Sequence, residues 1–182
     1  STYYFKVEPI KWRVLQNSNG TYKLLSEYIL DNMSYYGTTT FRTVNDTTIY
    51  PNNYMYSKIR AWLNGLDGTS YNVSNYEGKG FLDIAFTEEE RNIINTTLVD
   101  NSASTTSSIS NSYVCSNTND KIYLLSYQDT LNASYGFSSS YSNNDKARQV
   151  IVSDYARSKG CYMSTNSSDY GKGYCWLRSP YV

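Results

Sequence analysis

Three cysteines, a run of three glutamates and one arginine near the C-terminus are the residues from which chemistry could be built. The cysteines are Cys115, Cys161 and Cys175. A disulfide between Cys161 and Cys175 would close a short polar loop and leave Cys115 free. The same two thiolates could instead hold copper(I), or all three cysteines could pack as small hydrophobes in a reducing compartment. Cys175 makes a poor nucleophile: in an extended strand Arg178, three residues on, points to the opposite face and cannot lower its pKa. Glu88, Glu89 and Glu90 open a helix, where the macrodipole accounts for them without any catalytic role. Arg178 sits between Leu177 and a Ser-Pro turn. A planar guanidinium there either ties loop carbonyls to the core, the role favoured, or grips an anionic ligand group. The sequence contains no histidine, which removes Ser-His-Asp and Cys-His catalysis, histidine-ligated metals and imidazole acid–base chemistry. No catalytic residue is expected.

Other cofactor signals are weak. "GTYK" and "GKGF" lack the spacing of a phosphate-binding loop, and no G-x-G-x-x-G follows a strand. Oxygen-rich turns at 45–48, 116–121 and 142–146 supply Asn and Asp ligands for calcium, but none has EF-hand spacing. Asn and Asp in turns ordinarily bond their own backbone. The expectation is no metal and no cofactor, with a structural calcium as the lesser alternative.

The charge balance is even, 16 basic against 16 acidic residues, and no cluster of lysine or arginine offers a footprint for nucleic acid or an anionic membrane. Nothing approaches the length of apolar sequence that a membrane-spanning helix needs. Tyrosine dominates the aromatics, at 21 against 5 Phe and 3 Trp. It buries a ring while keeping a hydroxyl wet, which suits the outer faces of sheets and adaptable binding surfaces alike. Tyr35, Tyr36, Tyr113 and Tyr170, with Arg178, are the candidate ligand-binding residues.

Several short elements must position these groups. Trp12 and Val14 alternate with Lys11 and Arg13, and Asn19-Gly20 lies in the spacer that follows, so 8–16 and 21–27 read as an antiparallel hairpin with Trp12 and Val14 inward. Residues 31–53 read as a long polar connection. Ile59, Trp62, Leu63 and Leu66 form one apolar stripe of a helix with Ser57 as its N-cap and Gly65 as its stop. Thr87 and Glu90 form a capping box. Residues 100–119 read as an exposed loop or hairpin excursion, and "DKIYLLS" (120–126) as a strand with Ile122, Leu124 and the neighbouring Leu125 inward. Ser126 and Asp129 open a short helix, and 143–160 a helix broken near Ser153. "CYMS" and "CWLRSP" complete the set as short strands. The core is assigned to Trp12, Ile59, Trp62, Leu63, Leu124, Trp176 and Leu177. Short strands, short helices and long polar loops in no regular βαβ order give a single α+β domain over 1–182.

Taken in order, "IKWRVL", "LLS", "SKIRAWLN", "AFTEEER", "NDKIYLLS", "YARSKG" and "WLRSP" resemble an uncharacterised bacterial domain family common in gut bacteria and often attached to surface or secreted proteins. The resemblance runs from about Glu8 to Pro180. It implies a C-type-lectin-like mixed fold, the class shared by formylglycine-generating enzymes and the variable proteins of retroelements. Members resembling this chain carry a "YPQ"-like stretch before the first strand and continue past "WLRSP" to a "VRP"-like strand. The chain stops at Val182, so a fragment lacking terminal strands is expected. The cysteine pair of the formylglycine-generating enzymes is much closer in sequence than Cys161 and Cys175, and their activity is not carried over. The expected function is a non-enzymatic, extracellular or cell-surface ligand-binding or adhesion module. It would recognise a glycan or protein through loops 31–53, 101–119 and 163–173, alongside neighbouring domains of a larger surface protein. The alternatives are a copper- or thiol-dependent enzyme using Cys161 and Cys175, and a structural spacer.

Overall fold

The computed structural model describes residues 2–37, 40–69, 74–106, 110–141 and 145–180. In chain order its elements are β1 Trp12–Ser18, β2 Thr21–Ser26, β3 Tyr28–Ile29, β4 Arg42–Val44, β5 Thr47–Ile49, α1 Lys58–Leu63, α2 Phe81–Ala85, α3 Glu88–Ile93, β6 Thr97–Val99, α4 Ala103–Thr106, β7 Thr118–Asp120, β8 Ile151–Val152 and α5 Asp154–Ser158. Single 3-10 turns occur at Asp129–Leu131, Ala133–Tyr135 and Lys146–Arg148. The strands pair two at a time: β1–β2, β4–β5 and β6–β7 antiparallel, β3–β8 parallel. Short helices and small sheets make this an α+β protein. Among the described residues no helix is long and apolar enough to cross a membrane. The chain divides into two compact units, Ser1–Asn32 with Asp129–Cys175, and Met33–Gln128 with Trp176–Val182.

In the first unit the expected hairpin forms, turning at Asn19 (φ 50°) and Gly20 (φ 82°), the paired left-handed geometry of a two-residue hairpin turn. Its inward residue is not the expected one. The register shifts between Val14 and Gln16, so Leu15 bulges inward and is 5% exposed while Val14 is 55% exposed. A bulge of one residue moves the side-chain alternation to the other face. Trp12 is half-buried rather than core. Arg13 clasps Glu27 through Nε (3.2 Å) and NH2 (3.1 Å), and its NH1 donates to Ala147 O at 2.8 Å.

Of the helix expected over 143–160, residues 143 and 144 lie outside the described residues, and among the rest an α-helix forms only after Ser153. Val150, Ile151 and Val152 are a β-branched run that favours extended backbone. Two of them make β8, which pairs with β3 and also takes Val152 N→Gly171 O (2.9 Å) and Gly173 N→Val150 O (3.1 Å). Ser153 then caps α5, its Oγ accepting from Ala156 N at 3.1 Å, and Gly160 ends the turn at φ 88°. The short helix expected from Ser126 and Asp129 shrinks to the 3-10 turn at Asp129–Leu131. "CYMS" and "CWLRSP" form no regular strand.

The second unit is organised around α1. Ser57 caps it as expected, accepting from Arg60 N (3.1 Å), and Gly65 follows its C-cap at φ 60°. Ile59, Trp62 and Leu63 are buried. The same helix buries Arg60, whose Nε lies 2.9 and 3.1 Å from the two carboxylate oxygens of Asp120 and whose NH2 lies 2.8 Å from Oδ1. Thr118 Oγ1 donates to Asp120 Oδ2 (2.7 Å) and accepts from Asn101 Nδ2 (3.2 Å). Residues 100–119 are thus not a free excursion: Asn101, Thr106 and Thr118 are buried, and α4 forms within them. Asn64 explains why "DKIYLLS" is not a strand. Its Oδ1 takes Lys121 N (2.9 Å) and Ile122 N (3.1 Å), and its Nδ2 donates to Ile122 O (2.8 Å). Those backbone groups are spent on a side chain, so β7 ends at Asp120 and Leu124 is left half-buried. Thr87 and Glu90 form the expected capping box on α3. Where α1 approaches α2, a Cβ on Gly80 would lie 2.5 Å from Trp62 O and 2.6 Å from Gly65 Cα. Phe81 packs its ring 5.4 Å from that of Trp62.

Replacing Asp120 by Ala leaves the Arg60 charge buried and unpaired, and is expected to cost about 3–5 kcal/mol. Gly80→Ala, forced against backbone, should cost about 1–3 kcal/mol. Both are read by urea unfolding. Acid should also weaken the fold. Arg13 holds the Glu27 carboxyl below its ordinary value of 4.5, and the Ser102 N–H holds that of Asp100 below 3.8. Carboxyls depressed in the folded state contribute stability above those ordinary values and lose it as pH falls through the lower folded ones. The thermal midpoint should therefore be flat near neutrality and fall below about pH 4.5, and an Arg13→Ala variant should show a shallower acid fall.

Candidate functional site

The 31–53 segment expected to be an unstructured connection contains a tight hairpin. Asn45 (φ 48°) and Asp46 (φ 59°) form its turn, and β4 and β5 pair Arg42↔Ile49, Thr43↔Thr48 and Val44↔Thr47. Val44 and Ile49 are buried and anchor it. One step beyond the last pair, Phe41 and Tyr50 stand opposite each other, ring centroids 6.1 Å apart, edge to face. Tyr50 meets Tyr113 at 5.0 Å. The result is a run of three rings, Phe41–Tyr50–Tyr113, with Phe41 67% exposed and the two tyrosines half-buried. On β4 the Arg42 guanidinium lies 4.2 Å above the Tyr36 ring and donates to Tyr56 O. Desolvation lowers the pKa of Arg42. Arg42 Nε and Tyr36 Oη are buried and make no hydrogen bond among the described residues. Edge-on and tilted rings beside a guanidinium give a surface suited to flat, partly apolar ligand faces.

The sequence-predicted residues distribute unevenly about this run. Tyr36 and Tyr113 belong to it. Tyr35 is half-buried, edge-on to Trp176 at 5.5 Å, with its hydroxyl 3.4 Å from Asn52 O. Burial pushes its phenol far above the ordinary tyrosine range. Tyr170 is exposed but belongs to the first unit. Arg178 is no ligand grip: at 4% exposure its NH1 donates to Leu124 O (2.9 Å), its NH2 to Asp100 O (3.3 Å), and its backbone N to Leu125 O (2.9 Å). It ties two segments of the second unit together. Trp176, expected in the core, is 55% exposed, held by Nε1→Met33 O at 3.2 Å, and Leu177 is half-buried. Sequence reasoning missed Phe41, Arg42 and Tyr50. The signal was available: Asn45-Asp46 between alternating residues is hairpin-turn chemistry.

The remaining candidates also resolve. Cys115, Cys161 and Cys175 are free thiols. Desolvation raises all three above the ordinary value, Cys175 to about 11 with a further contribution from Cys161. That is the opposite of what nucleophilic cysteine requires. Of the calcium candidates, Asp120 has its charge matched by Arg60, Asp46 sits in the hairpin turn, and Asp145 accepts Ser138 N (2.8 Å) and Ala147 N (2.9 Å). Residues 142–144 lie outside the described residues. Among the described residues no group of three acidic, cysteine or histidine side chains could hold a metal ion.

The model of a domain of unknown function, DUF6273, matches residues 19–182. The chain belongs to that family. No curated protein and no solved structure matches it. The DUF6273 match covers β2 onward and so includes the whole aromatic run and every residue of the Arg178 tie.

Burial predicts a sharp contrast between neighbours in the last strap of the chain. Arg178→Ala should cost about 3 kcal/mol through lost charged hydrogen bonds. Trp176→Ala, at an exposed ring, should cost about 1 kcal/mol or less in the same thermal or urea titration.

Proposed function

We propose that this DUF6273 domain is a non-enzymatic ligand-binding or adhesion module, lectin-like in mode, that takes a glycan on the Phe41–Tyr50–Tyr113 run. The observation that carries this reading is the geometry of those rings. They are offered side by side at the end of a hairpin whose interior is anchored by Val44 and Ile49. Sugar rings present apolar C–H faces that pack on aromatic rings, while asparagine, serine and threonine side chains suit their hydroxyls. Thr43, Thr47 and Thr48 on the same hairpin and Ser110, Asn111 and Ser112 before Tyr113 supply such groups. The even charge balance agrees with a neutral ligand. A non-enzymatic role is favoured by the lack of histidine in the sequence and by thiols whose pKa values are pushed up rather than down. The reading carries with it an extracellular or cell-surface setting, with adjoining domains of a larger surface protein.

The test is a glycan array probed with labelled wild-type protein, Phe41→Ala and Tyr50→Ala, each checked for an unchanged thermal midpoint. Wild type should bind a coherent group of glycans, and each substitution should weaken binding about 10- to 30-fold, the effect of losing a central aromatic contact. No glycan bound by wild type, or variants that bind as wild type does, would remove the reading.

A further inference from the structure

Cys161 and Cys175 lie on the two arms of one chain reversal in the first unit. After α5 the chain reverses at Gly160, and Cys161 N donates to Ala156 O at 3.0 Å. It then runs out through 161–164, turns, and returns through 171–175. Ser164 N→Lys172 O (2.7 Å) and Gly171 N→Ser164 O (2.9 Å) close the turn. Lys172 Nζ holds Asp169 at 2.7 Å inside it. Two residues further back on each side, Tyr162 and Tyr174 stack, centroids 5.2 Å apart and planes 15° from parallel. Cys161 and Cys175 thus flank the stacked tyrosines, one on each arm of the reversal.

The tyrosine stack draws the two arms together immediately beside each cysteine, and a disulfide needs its two Cα atoms within about 4.4–6.8 Å of each other. Gly173 enforces the closeness: a Cβ there would lie 2.5 Å from Val152 Cγ2 and 2.8 Å from Tyr162 O. The two thiols also act on each other electrostatically. Cys115 belongs to the other unit.

We propose that Cys161 and Cys175 are a redox-modification site, forming a cross-strand disulfide that clasps the 162–174 hairpin. The oxidant is a small disulfide, for which oxidised glutathione serves as probe. One thiolate attacks it, forming a mixed disulfide and releasing one small thiol. The second thiolate then attacks the protein sulfur of that mixed disulfide, closing the Cys161–Cys175 bond and expelling the other small thiol. The protein loses two electrons and two protons, and the oxidant gains them as two thiols. Because the thiolate is the attacking species, formation should quicken about tenfold per pH unit through the neutral range.

The experiment treats the whole chain with oxidised glutathione under native conditions, quenches with an alkylating agent, and maps peptides by mass spectrometry. Wild type should yield a peptide joined through Cys161 and Cys175 with Cys115 alkylated, and a thermal midpoint raised by roughly 5 °C that dithiothreitol reverses. Cys161→Ser should halt at a glutathione adduct on Cys175, and Cys175→Ser at one on Cys161. Since both variants keep the hairpin's backbone hydrogen bonds, the adduct itself reports that the thiol is reachable. A bond to Cys115, stable glutathione adducts on both cysteines of the wild type, or two thiols that stay alkylatable would overturn the proposal.

Discussion

The second unit depends on one buried ion pair. Arg60 is buried on α1 together with Ile59, Ala61, Trp62 and Leu63, and Asp120 ends β7 with its carboxylate fully enclosed. Two charges taken out of water are tolerable only when every lone pair and proton finds a partner. Arg60 spends Nε and NH2 on the carboxylate and NH1 on Met55 O (3.0 Å), while Thr118 Oγ1 takes the remaining approach to Asp120. Thr118 in turn positions Asn101, whose Nδ2 donates to Ser116 O at 3.0 Å and whose backbone N donates to Asn117 Oδ1 at 3.0 Å. A single electrostatic requirement at α1 thus holds Asn101 and residues 116–120 in place, in a part of the chain rich in serine, threonine and asparagine with little apolar content of its own to fold around.

This arrangement shows which parts of the fold can be read from sequence. The caps at Ser57, Thr87–Glu90 and Ser153 and the turn at Asn19-Gly20 were all legible, because their chemistry closes within a few residues of itself. What failed depended on partners far along the chain. "DKIYLLS" has the apolar content of a strand, but Asn64, some sixty residues earlier, takes its first backbone groups. Val14 has the right parity to face inward until the bulge at Leu15 reverses it. Trp176 looks like core by composition, yet its ring needs only Met33 O and the edge of Tyr35, and both can be reached from the surface.

Arg178 illustrates the intermediate case. Its residue type and its crowded neighbours suggested either of two roles with the same chemistry, a fan of donors waiting for oxygen acceptors. Only the location of the acceptors separates those roles. They are the carbonyls of Asp100 and Leu124 rather than those of a ligand. The candidate binding site was half legible for a related reason. Tyr36 and Tyr113 stood out as tyrosines in polar loops. Phe41 and Tyr50 gain meaning only once the Asn45-Asp46 turn brings them opposite each other.

Two rings of the aromatic run, Phe41 and Tyr50, sit on a hairpin rather than on a loose loop, and that has an energetic consequence. Binding costs the entropy of every side chain and backbone segment that must be immobilised. Val44 and Ile49 already fix the β4–β5 pair, and its left-handed turn fixes the register by which Phe41 faces Tyr50. An aromatic ring has two side-chain torsions to lose, fewer than a long polar side chain, and here each ring is further restrained by the next. Polar loops built only of serine, threonine and asparagine would have to order themselves on contact with a ligand. A chain rich in such loops therefore gains most from placing its rings where the fold has already ordered them, and the Phe41–Tyr50–Tyr113 run meets that condition.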